Sequence, residues 1–392
     1  MKGFTFHIPT KIYFGDDEFS HLGEEVADHG STVLLTYGGG SIKRTGLYDR
    51  VRAQLAEQGL TVVELGGIDP NPRIDSVRQG AALCREAGVD VVLAVGGGST
   101  IDCSKFICAA AVADCDPWDW FADKTTPIED ALPLVCVLTL AATGSEMDNG
   151  GVISNPETNQ KEGRGADCLL PRASFLDPAN TFTVPPFQTA AGSADIISHT
   201  CETYFSQDDD LYFLDTFMEG LLRTVIRFAP VAMERGDDYE ARANLMWASS
   251  WAINGFADGG KTQAWSVHPM EHELSAFYDI THGLGLAILT PAWMRHVLAT
   301  DPATLPKFVQ FAENVFGICD PAMGDAEKAE AGIQALQDFF VNDLGLAASL
   351  SAIGIDDEHF SAMAEKACHG PSIKGFVELT PADVEQIYRA CL

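Results

Sequence analysis

Basic residues are scarce in this chain of 392 residues. Its 25 lysines and arginines stand against 56 aspartates and glutamates, which gives a formal net charge of −31. A surface of this sign repels phosphate backbones and anionic lipid, so the composition argues against nucleic acid and membranes as partners. An anionic small molecule would need a locally basic or amide-lined site.

Long apolar runs are also missing, since no stretch reaches the ~18 residues that a membrane helix requires. The N-terminal segment MKGFTFHIPTKIYFG alternates apolar and polar residues, which predicts a pair of β-strands and no export signal. The ten cysteines show no CxxC spacing. Without an export signal they are expected to be reduced thiols, and we predict a cytoplasmic protein.

The chain has two parts that differ in the periodicity of their apolar residues. From residue 31 to about 180, helical stretches alternate with the β-branched runs TVLLTY (32–37), TVVEL (61–65), VDVVLAV (89–95) and LPLVCVLTL (132–140). This alternation predicts an α/β domain with a parallel sheet covered by helices. After Val184-Pro185-Pro186 the periodicity is helical. We therefore predict an α/β domain over residues 1–184 and an all-α domain over residues 185–392.

The run VDVVLAV ends in three glycines, Gly96, Gly97 and Gly98, and a helix follows that Ser99 is expected to cap. Ser99 and Asp102 have the spacing of a capping box. Glycines let backbone amides approach a ligand, and a helix N-terminus favours an anion, so the turn predicts a pyrophosphate site in a Rossmann-like sheet. A tight turn without a ligand is the alternative. The segment matches neither GxGxxG nor GxxxxGK[ST].

A second glycine run follows the strand TVLLTY and consists of Gly38, Gly39 and Gly40, with Ser41, Lys43 and Arg44 after it. A hydroxyl and two cations suit a phosphate monoester, and no acidic residue lies at the turn to bind a ribose diol. These features favour NADP over NAD, and a solvent-exposed basic helix start is the alternative. A third glycine-rich segment, LTLAATGSEMDNGGVIS, also follows a strand. Three such loops together predict a cofactor crevice.

One aspartate and four histidines have a spacing that suits metal binding. Asp195 and His199 lie four residues apart on a predicted helix, His268 and His272 repeat this spacing, and His282 follows. Nitrogen and oxygen ligands without a thiolate suit Zn²⁺ and Fe²⁺ equally. The segment HPMEH is not HExxH, which argues against a zincin protease. Spacing alone leaves open which four of the five bind, and ordinary core or surface histidines are the alternative.

The segments GGGSTIDCSK, TGSEMD, ADIISHTCE and HPMEHELSAFYDITHGLGLAILTPAW, in this order, resemble the iron-containing, or group III, alcohol dehydrogenases. The resemblance covers nearly the whole chain and is nearest to the branch of NADPH-dependent butanol dehydrogenases and broad aldehyde reductases. It implies a homodimer that transfers a hydride between NADP(H) and small primary alcohols or aldehydes. It also implies one divalent metal ion, Fe²⁺ or Zn²⁺.

The resemblance assigns roles to individual residues. It implies that Asp195, His199, His268 and His282 bind the metal, and that His272 is an unliganded catalytic residue near the nicotinamide. It implies cofactor contacts from Gly38, Gly39, Gly40, Ser41, Gly96, Gly97, Gly98, Ser99, Asp102, Thr139, Thr143 and Lys161. NAD-preferring members carry an aspartate in the first glycine loop, where this sequence has YGGGS. Pro269 departs from the family pattern and predicts that His268 lies at a kink or a helix start.

Two other functions fit parts of the pattern. A metal- and NAD-dependent lyase of the dehydroquinate-synthase type has the same two-domain plan, but it needs a basic cluster for a substrate phosphate. The second half of the chain has no obvious cluster of this kind. A non-catalytic dinucleotide- or metal-binding protein is disfavoured because the ligand set is complete. Metal analysis and an assay of NADPH oxidation with butanal would separate these three functions.

Overall fold

A computed structural model describes residues 2–207, 211–262 and 265–392. Within these ranges the chain forms a six-stranded sheet, a two-stranded sheet and fifteen α-helices. The strands are β1 Lys11–Phe14, β2 Thr32–Tyr37, β3 Thr61–Gly66, β4 Val91–Gly96, β5 Leu134–Leu138, β6 Gly150–Asn155, β7 Gln160–Gly165 and β8 Ala173–Leu176. In the same ranges, no helix has the length and apolar character needed to cross a membrane.

The helices of the first half are α1 Leu22–Ala27, α2 Ser41–Arg44, α3 Leu47–Glu57, α4 Ile74–Ala87, α5 Gly98–Val112 and α6 Asp119–Ala122. Those of the second half are α7 Pro186–Tyr204, α8 Tyr212–Glu234, α9 Tyr239–Ile253, α10 Val267–Tyr278, α11 His282–Thr300, α12 Leu305–Phe316, α13 Asp325–Asp338, α14 Phe360–Ala367 and α15 Pro381–Ala390. Apart from one isolated bridge, Ile373 with Leu379, the described part of the second half has no strand pairing.

The chain divides into two compact units. The α/β unit comprises residues 7–184 and 236–254, and the helical unit comprises residues 1–6, 185–235 and 255–392. One boundary between the two units falls between Val184 and Pro185, and neither unit is continuous along the chain. Helix α9 belongs to the α/β unit because it packs on the short turns Ser145–Met147 and Pro178–Thr181 of that unit.

The six-stranded sheet is parallel, with the order β1-β8-β5-β4-β2-β3. Strands β4, β5 and β8 are buried along their whole length, which explains their continuous apolar runs. Because β2, β4 and β5 are neighbours, the loops that follow them leave the same edge of the sheet. The predicted Rossmann-like α/β fold and helical second half are confirmed.

One local prediction about strands was wrong, and one strand pair was missed. Of the described residues 2–14, only Lys11–Phe14 form a strand, and its partner is the parallel strand β8 and not a neighbouring segment. Residues 2–6 belong to the helical unit, where the Lys2 amide donates to the Gly260 carbonyl. The antiparallel pair β6 and β7 was not predicted. Four of its twelve paired residues are glycines, which interrupt the expected alternation of side chains.

Helix α7 lies at the centre of the helical unit and packs against α8 and α11. It begins at Pro186, whose fixed φ suits the first position of a helix. Every residue from Thr189 to Tyr204 is buried. A Cβ added to Gly283 of α11 would lie 1.9 Å from the carbonyl oxygen of Ala191, so only glycine permits this approach of the two helices.

Candidate active site

Three helices of the helical unit bring the four predicted metal ligands together. Asp195 and His199 lie one turn apart on α7, His268 lies in the first turn of α10, and His282 begins α11. Asp195 Oδ1 lies 3.4 Å from His199 Nε2 and 3.7 Å from both His268 Nε2 and His282 Nε2. One carboxylate oxygen therefore faces three imidazole nitrogens. The first three residues are buried, and the His282 side chain is 23% exposed.

This arrangement of donor atoms fits a divalent metal ion. Ligand atoms ~2.0–2.2 Å from a tetrahedrally bound ion lie roughly 3.3–3.6 Å from one another, close to the separations around Asp195. Asp195 Oδ1 and His268 Nε2 are buried and have no hydrogen-bond partner among the described residues. Buried polar atoms are rarely left in this condition unless a ligand satisfies them. The nitrogen and oxygen donors suit Zn²⁺ and Fe²⁺ alike.

Burial and mutual contact shift the pKa values of the cluster. Burial alone would raise the pKa of Asp195, but His199, His268 and His282 outweigh it and lower that pKa well below its usual range. Burial lowers the pKa of His199 to about 3, against the opposing effect of Asp195. Burial also disfavours protonated His268, yet Glu202 and Asp195 raise its pKa to about 9. Asp195 is thus ionised and His199 neutral, which are the forms that bind metal, whereas His268 must release its Nε2 proton when a metal binds.

Local sequence features explain where the two later ligands lie. Pro269 occupies the first turn of α10, where a missing N–H costs the helix nothing, so His268 lies at a helix start and not at a kink. Helix α10 ends at Tyr278, and the next residue, Asp279, adopts a left-handed conformation with φ of 50°. The chain then turns into α11, and the rings of His268 and His282 lie with their centroids 5.1 Å apart.

Two buried glutamates that were not predicted contact the candidate ligands. Glu202 of α7 accepts a hydrogen bond from His268 Nδ1, and Glu271 of α10 accepts one from His282 Nδ1. Each glutamate follows a candidate ligand by three residues, Glu202 after His199 and Glu271 after His268. This spacing places both on the ligand-bearing faces of their helices, and it is the signal that could have identified them.

His272 lies one turn after His268 on α10 and is half-buried. Its ring centroid is 6.3 Å from that of His268 and 5.7 Å from that of His282. Asp195, His268 and His282 offer ligand atoms within 4.8 Å of one another, and so do Glu271, His272 and His282. His199 belongs to neither group, although its Nε2 lies near Asp195 Oδ1, and His272 borders the Asp195 group through the shared His282.

The predicted cofactor residues of the α/β unit lie mainly in loops at one edge of the sheet. Gly38, Gly39 and Gly40 follow β2, and Ser41 begins α2; Gly96 ends β4, and Gly97, Gly98 and Ser99 lie at the start of α5. Thr139 follows β5, and its amide donates to the Gly96 carbonyl at 3.0 Å. A Cβ added to Gly98 would lie 2.3 Å from Thr143 Oγ1, so these two loops touch. Lys161 is buried on β7.

The predicted capping box of Ser99 and Asp102 is wrong. Helix α5 begins at Gly98 with Gly97 as its N-cap, and no side chain caps it. Ser99 is thus already the second residue of the helix. The Asp102 carboxylate instead accepts hydrogen bonds from the Ser145 hydroxyl at 2.6 Å and the Val152 amide at 2.8 Å. Asp102 therefore connects the helix after the glycine turn to the third glycine-rich segment.

Comparison with known proteins assigns the class. Residues 9–178 match the family model described as iron-containing alcohol dehydrogenase, and residues 189–392 match that of the C-terminal part of the Fe-containing alcohol dehydrogenase family. The chain belongs to the iron-containing alcohol dehydrogenase family, as its sequence motifs predicted. It is therefore an enzyme that oxidises alcohols or reduces aldehydes.

Three relatives show how similar the chain is to individual members of the family. The chain is 51% identical over 391 residues to NADH-dependent butanol dehydrogenase A of Clostridium acetobutylicum, with 99% of each chain covered. It is 40% identical to the NADPH-dependent aldehyde reductase YqhD of Escherichia coli, with 93% of each covered. The crystal structure of NADH-dependent butanol dehydrogenase A from Thermotoga maritima is 38% identical, with a TM-score of 0.94 and coverage of 100% of this chain and 99% of that one.

Proposed function

We propose that this alcohol dehydrogenase is metal-dependent and interconverts small primary alcohols and aldehydes, such as butanol and butanal, with NADP(H). Asp195, His199, His268 and His282 would hold one divalent ion. The observation that supports this most directly is the position of Asp195 Oδ1, which lies 3.4–3.7 Å from three imidazole nitrogens. The similarity to a butanol dehydrogenase and to an aldehyde reductase supports butanol, butanal and similar molecules as substrates.

When bound, the metal supplies Lewis-acid polarisation of the substrate oxygen, and the nicotinamide supplies or accepts the hydride. The residues of the chain place and protonate the reactants. His272 and His282 are the less buried histidines of the cluster, so we propose that substrate reaches the site on their side. His272 would exchange the proton of the hydroxyl with solvent, since the two ring nitrogens of an imidazole can accept and donate protons.

The loop after β2 supports NADP(H) as the cofactor. Relatives named for NADH and relatives named for NADPH belong to the same family, so family membership does not decide between the two cofactors. The loop from Gly38 to Arg44 contains no carboxylate. Lys43 Nζ donates to the Tyr37 hydroxyl at 2.8 Å and lies 4.7 Å from the ring centroids of Tyr37 and Tyr48. A cation held beside the loop would favour the 2′-phosphate of NADP.

Three further proposals rest on the sequence and the family. The residues of the predicted crevice would contact the cofactor. They are Gly38, Gly39, Gly40, Ser41, Gly96, Gly97, Gly98, Ser99, Asp102, Thr139, Thr143 and Lys161. The enzyme would act as a homodimer in the cytoplasm. The domain limits of 1–184 and 185–392 stay a prediction, since the compact units differ from them at residues 1–6 and 236–254.

A chelation and reconstitution assay tests the proposed function. NADPH oxidation with butanal is measured on the purified enzyme, after divalent ions are removed by a chelator, and after Zn²⁺ or Fe²⁺ is returned. We expect activity to disappear with the metal and to return with about one ion per chain. Full activity in the metal-free protein would overturn the metal-dependent reaction. Failure to reduce butanal with either NADPH or NADH would overturn the proposed substrate class.

A further inference from the structure

Glu202 and Glu271 lie behind two of the candidate ligands, and each belongs to the helix that bears an earlier ligand. Glu202 shares α7 with His199 and contacts His268 of α10. Glu271 shares α10 with His268 and contacts His282 of α11. Helix α7 thus orients a ligand of α10, and α10 orients a ligand of α11. The three helices are linked in sequence through carboxylate–imidazole contacts.

We infer that Glu202 and Glu271 are positioning residues that aim the Nε2 atoms of His268 and His282 at the metal ion. This inference rests on the proposed metal centre. An imidazole that donates its Nδ1–H to a carboxylate has a fixed ring orientation and leaves Nε2 free as a ligand. In both histidines, Nε2 lies 3.7 Å from Asp195 Oδ1.

Glu202 also fixes the backbone that bears His268. Its Oε1 accepts from the His268 amide at 2.9 Å, and its Oε2 accepts from the amides of Ser266 and Val267. Amides at a helix N-terminus have no acceptor within the helix, so an outside group must satisfy them. Glu202 is only 4% exposed, so water cannot readily replace it. One carboxylate therefore sets both the start of α10 and the orientation of the ligand ring.

Glu271 holds His282 from a fully buried position. Its exposure is 0%, its Oε1 accepts from the Ser275 hydroxyl, and its Oε2 accepts from His282 Nδ1. Gly285 of α11 provides the space, because a Cβ added there would lie 2.8 Å from Glu271 Cγ. The packing of α10 on α11 therefore requires a glycine at position 285, next to the Glu271 side chain.

A carboxylate that served the fold alone would affect unfolding and not metal affinity, and Glu219 offers a control for this difference. Glu219 is a buried glutamate of α8 in the same unit. Its Oε1 accepts hydrogen bonds from the Tyr204 hydroxyl and the side-chain amides of Gln310 and Asn314. None of these partners is a candidate ligand.

The experiment measures the Zn²⁺ affinity of the metal-free, full-length chain by titration against a competing chelator. The unfolding temperature of the metal-free protein is measured in parallel. We expect Glu202→Gln and Glu271→Gln to weaken Zn²⁺ binding by about tenfold, and Glu271→Leu by about 100-fold. The amide oxygen of the introduced glutamine would still accept from His282 Nδ1, whereas leucine offers no acceptor. Glu219→Gln should leave the affinity unchanged, even if it lowers the unfolding temperature.

The outcomes distinguish the proposed metal centre from the proposed positioning role of the two glutamates. A wild-type chain that does not bind Zn²⁺ would overturn the proposed metal centre itself. Wild-type binding with unchanged affinity in Glu202→Gln and Glu271→Gln would overturn the positioning role alone. An equal loss in Glu219→Gln would also contradict it, because affinity would then follow general stability. If Glu271→Leu does not fold, the two glutamine variants decide the result.

Discussion

Substitution of Gly39 can test whether the loop after β2 determines the preference between NADPH and NADH. It does not have a positive φ, and an added Cβ would meet nothing within 4 Å, so an aspartate fits without strain. We predict that the wild type prefers NADPH and that Gly39→Asp reverses or removes this preference. The new carboxylate would repel the 2′-phosphate of NADP and accept hydrogen bonds from the ribose diol of NAD.

The measurement is kcat/KM with each cofactor. A charge-assisted hydrogen bond contributes about 1.5–3 kcal/mol, so the preference should change by roughly tenfold to a hundredfold. Gly39→Ser adds a side chain without a charge and should keep the wild-type preference. Equal use of NADH by the wild type, or an unchanged preference in Gly39→Asp, would show that the loop does not read the 2′-phosphate.

Glu146 of the α/β unit gives stability a dependence on pH. It is fully buried, its Oε2 has no hydrogen-bond partner among the described residues, and the Ser250 hydroxyl donates to its Oε1. Burial raises the pKa of Glu146 from 4.5 to about 7, although the Ser250 hydrogen bond opposes this. Between these pH values the folded protein binds a proton that the unfolded chain has released. The free energy of unfolding therefore falls as pH rises from about 4.5 to about 7, because the folded protein must then lose this proton.

We predict that Glu146→Gln stabilises the α/β unit relative to the wild type at pH 8 more than at pH 5, by roughly 2–3 kcal/mol. The glutamine oxygen can still accept the Ser250 hydrogen bond, and the buried charge is removed. Chemical denaturation of both proteins at the two pH values measures the difference. A stability difference that does not change with pH would show that Glu146 does not titrate in this range.

Candidate site residues could be predicted from the sequence where their spacing alone places two of them on one face of a helix. Asp195 with His199, and His268 with His272, are visible as pairs four residues apart. Glu202 and Glu271 were missed because their partners lie on other helices, and that contact exists only after the helices pack. Ser99 was assigned as a cap because its spacing to Asp102 is correct, but the cap is Gly97 and the helix begins two residues earlier than predicted.

At the scale of elements, the close approach of α7 and α11 determines where His282 lies. An alanine Cβ at position 283 would lie 1.9 Å from the Ala191 carbonyl oxygen, so Gly283→Ala must push the helices apart. We predict a loss of stability of about 1–3 kcal/mol, typical of overpacking. We also predict weaker Zn²⁺ binding, because His282 precedes Gly283 and Asp195 lies on the opposing helix. Thermal unfolding and Zn²⁺ titration measure the two effects.

Gly220→Ala is the matched control for that substitution. Gly220 lies within α8, and the nearest atom to an added Cβ is 4.0 Å away, in Arg223. This substitution should leave metal affinity unchanged and stabilise the helix by about 0.5–1 kcal/mol. If Gly283→Ala behaved like Gly220→Ala, the close contact of α7 with α11 would not control the site.

Elements were predictable where burial produces a regular pattern. The runs that became β2, β4 and β5 are nearly continuous apolar stretches because these strands are buried in the sheet, whereas the β-branched run of β3 forms a less buried edge strand. The N-terminal alternation predicted a local strand pair, but β1 pairs with β8, which lies far along the chain. Sequence periodicity shows that a segment can be a strand and not which strand it joins. The glycine-rich pair β6 and β7 lacks even that periodicity.

At the scale of the whole molecule, the two units divide the proposed tasks: the α/β unit provides the glycine loops for the cofactor, and the helical unit provides the metal ligands. The family was predictable because its motifs follow one another in a fixed order along the chain, and the matches over residues 9–178 and 189–392 confirm it. Cofactor preference was less predictable, since relatives named for NADH and for NADPH share this architecture.

In the proposed metal centre, Asp195, His199, His268 and His282 hold one divalent ion, and His272 does not bind it. The most direct test is elemental analysis of metal content per chain in the wild type, His268→Ala and His272→Ala. We predict about one ion per chain in the wild type and in His272→Ala, and none in His268→Ala, because His268 faces Asp195 Oδ1 from a buried position. Metal retained by His268→Ala, or lost from His272→Ala, would contradict this account.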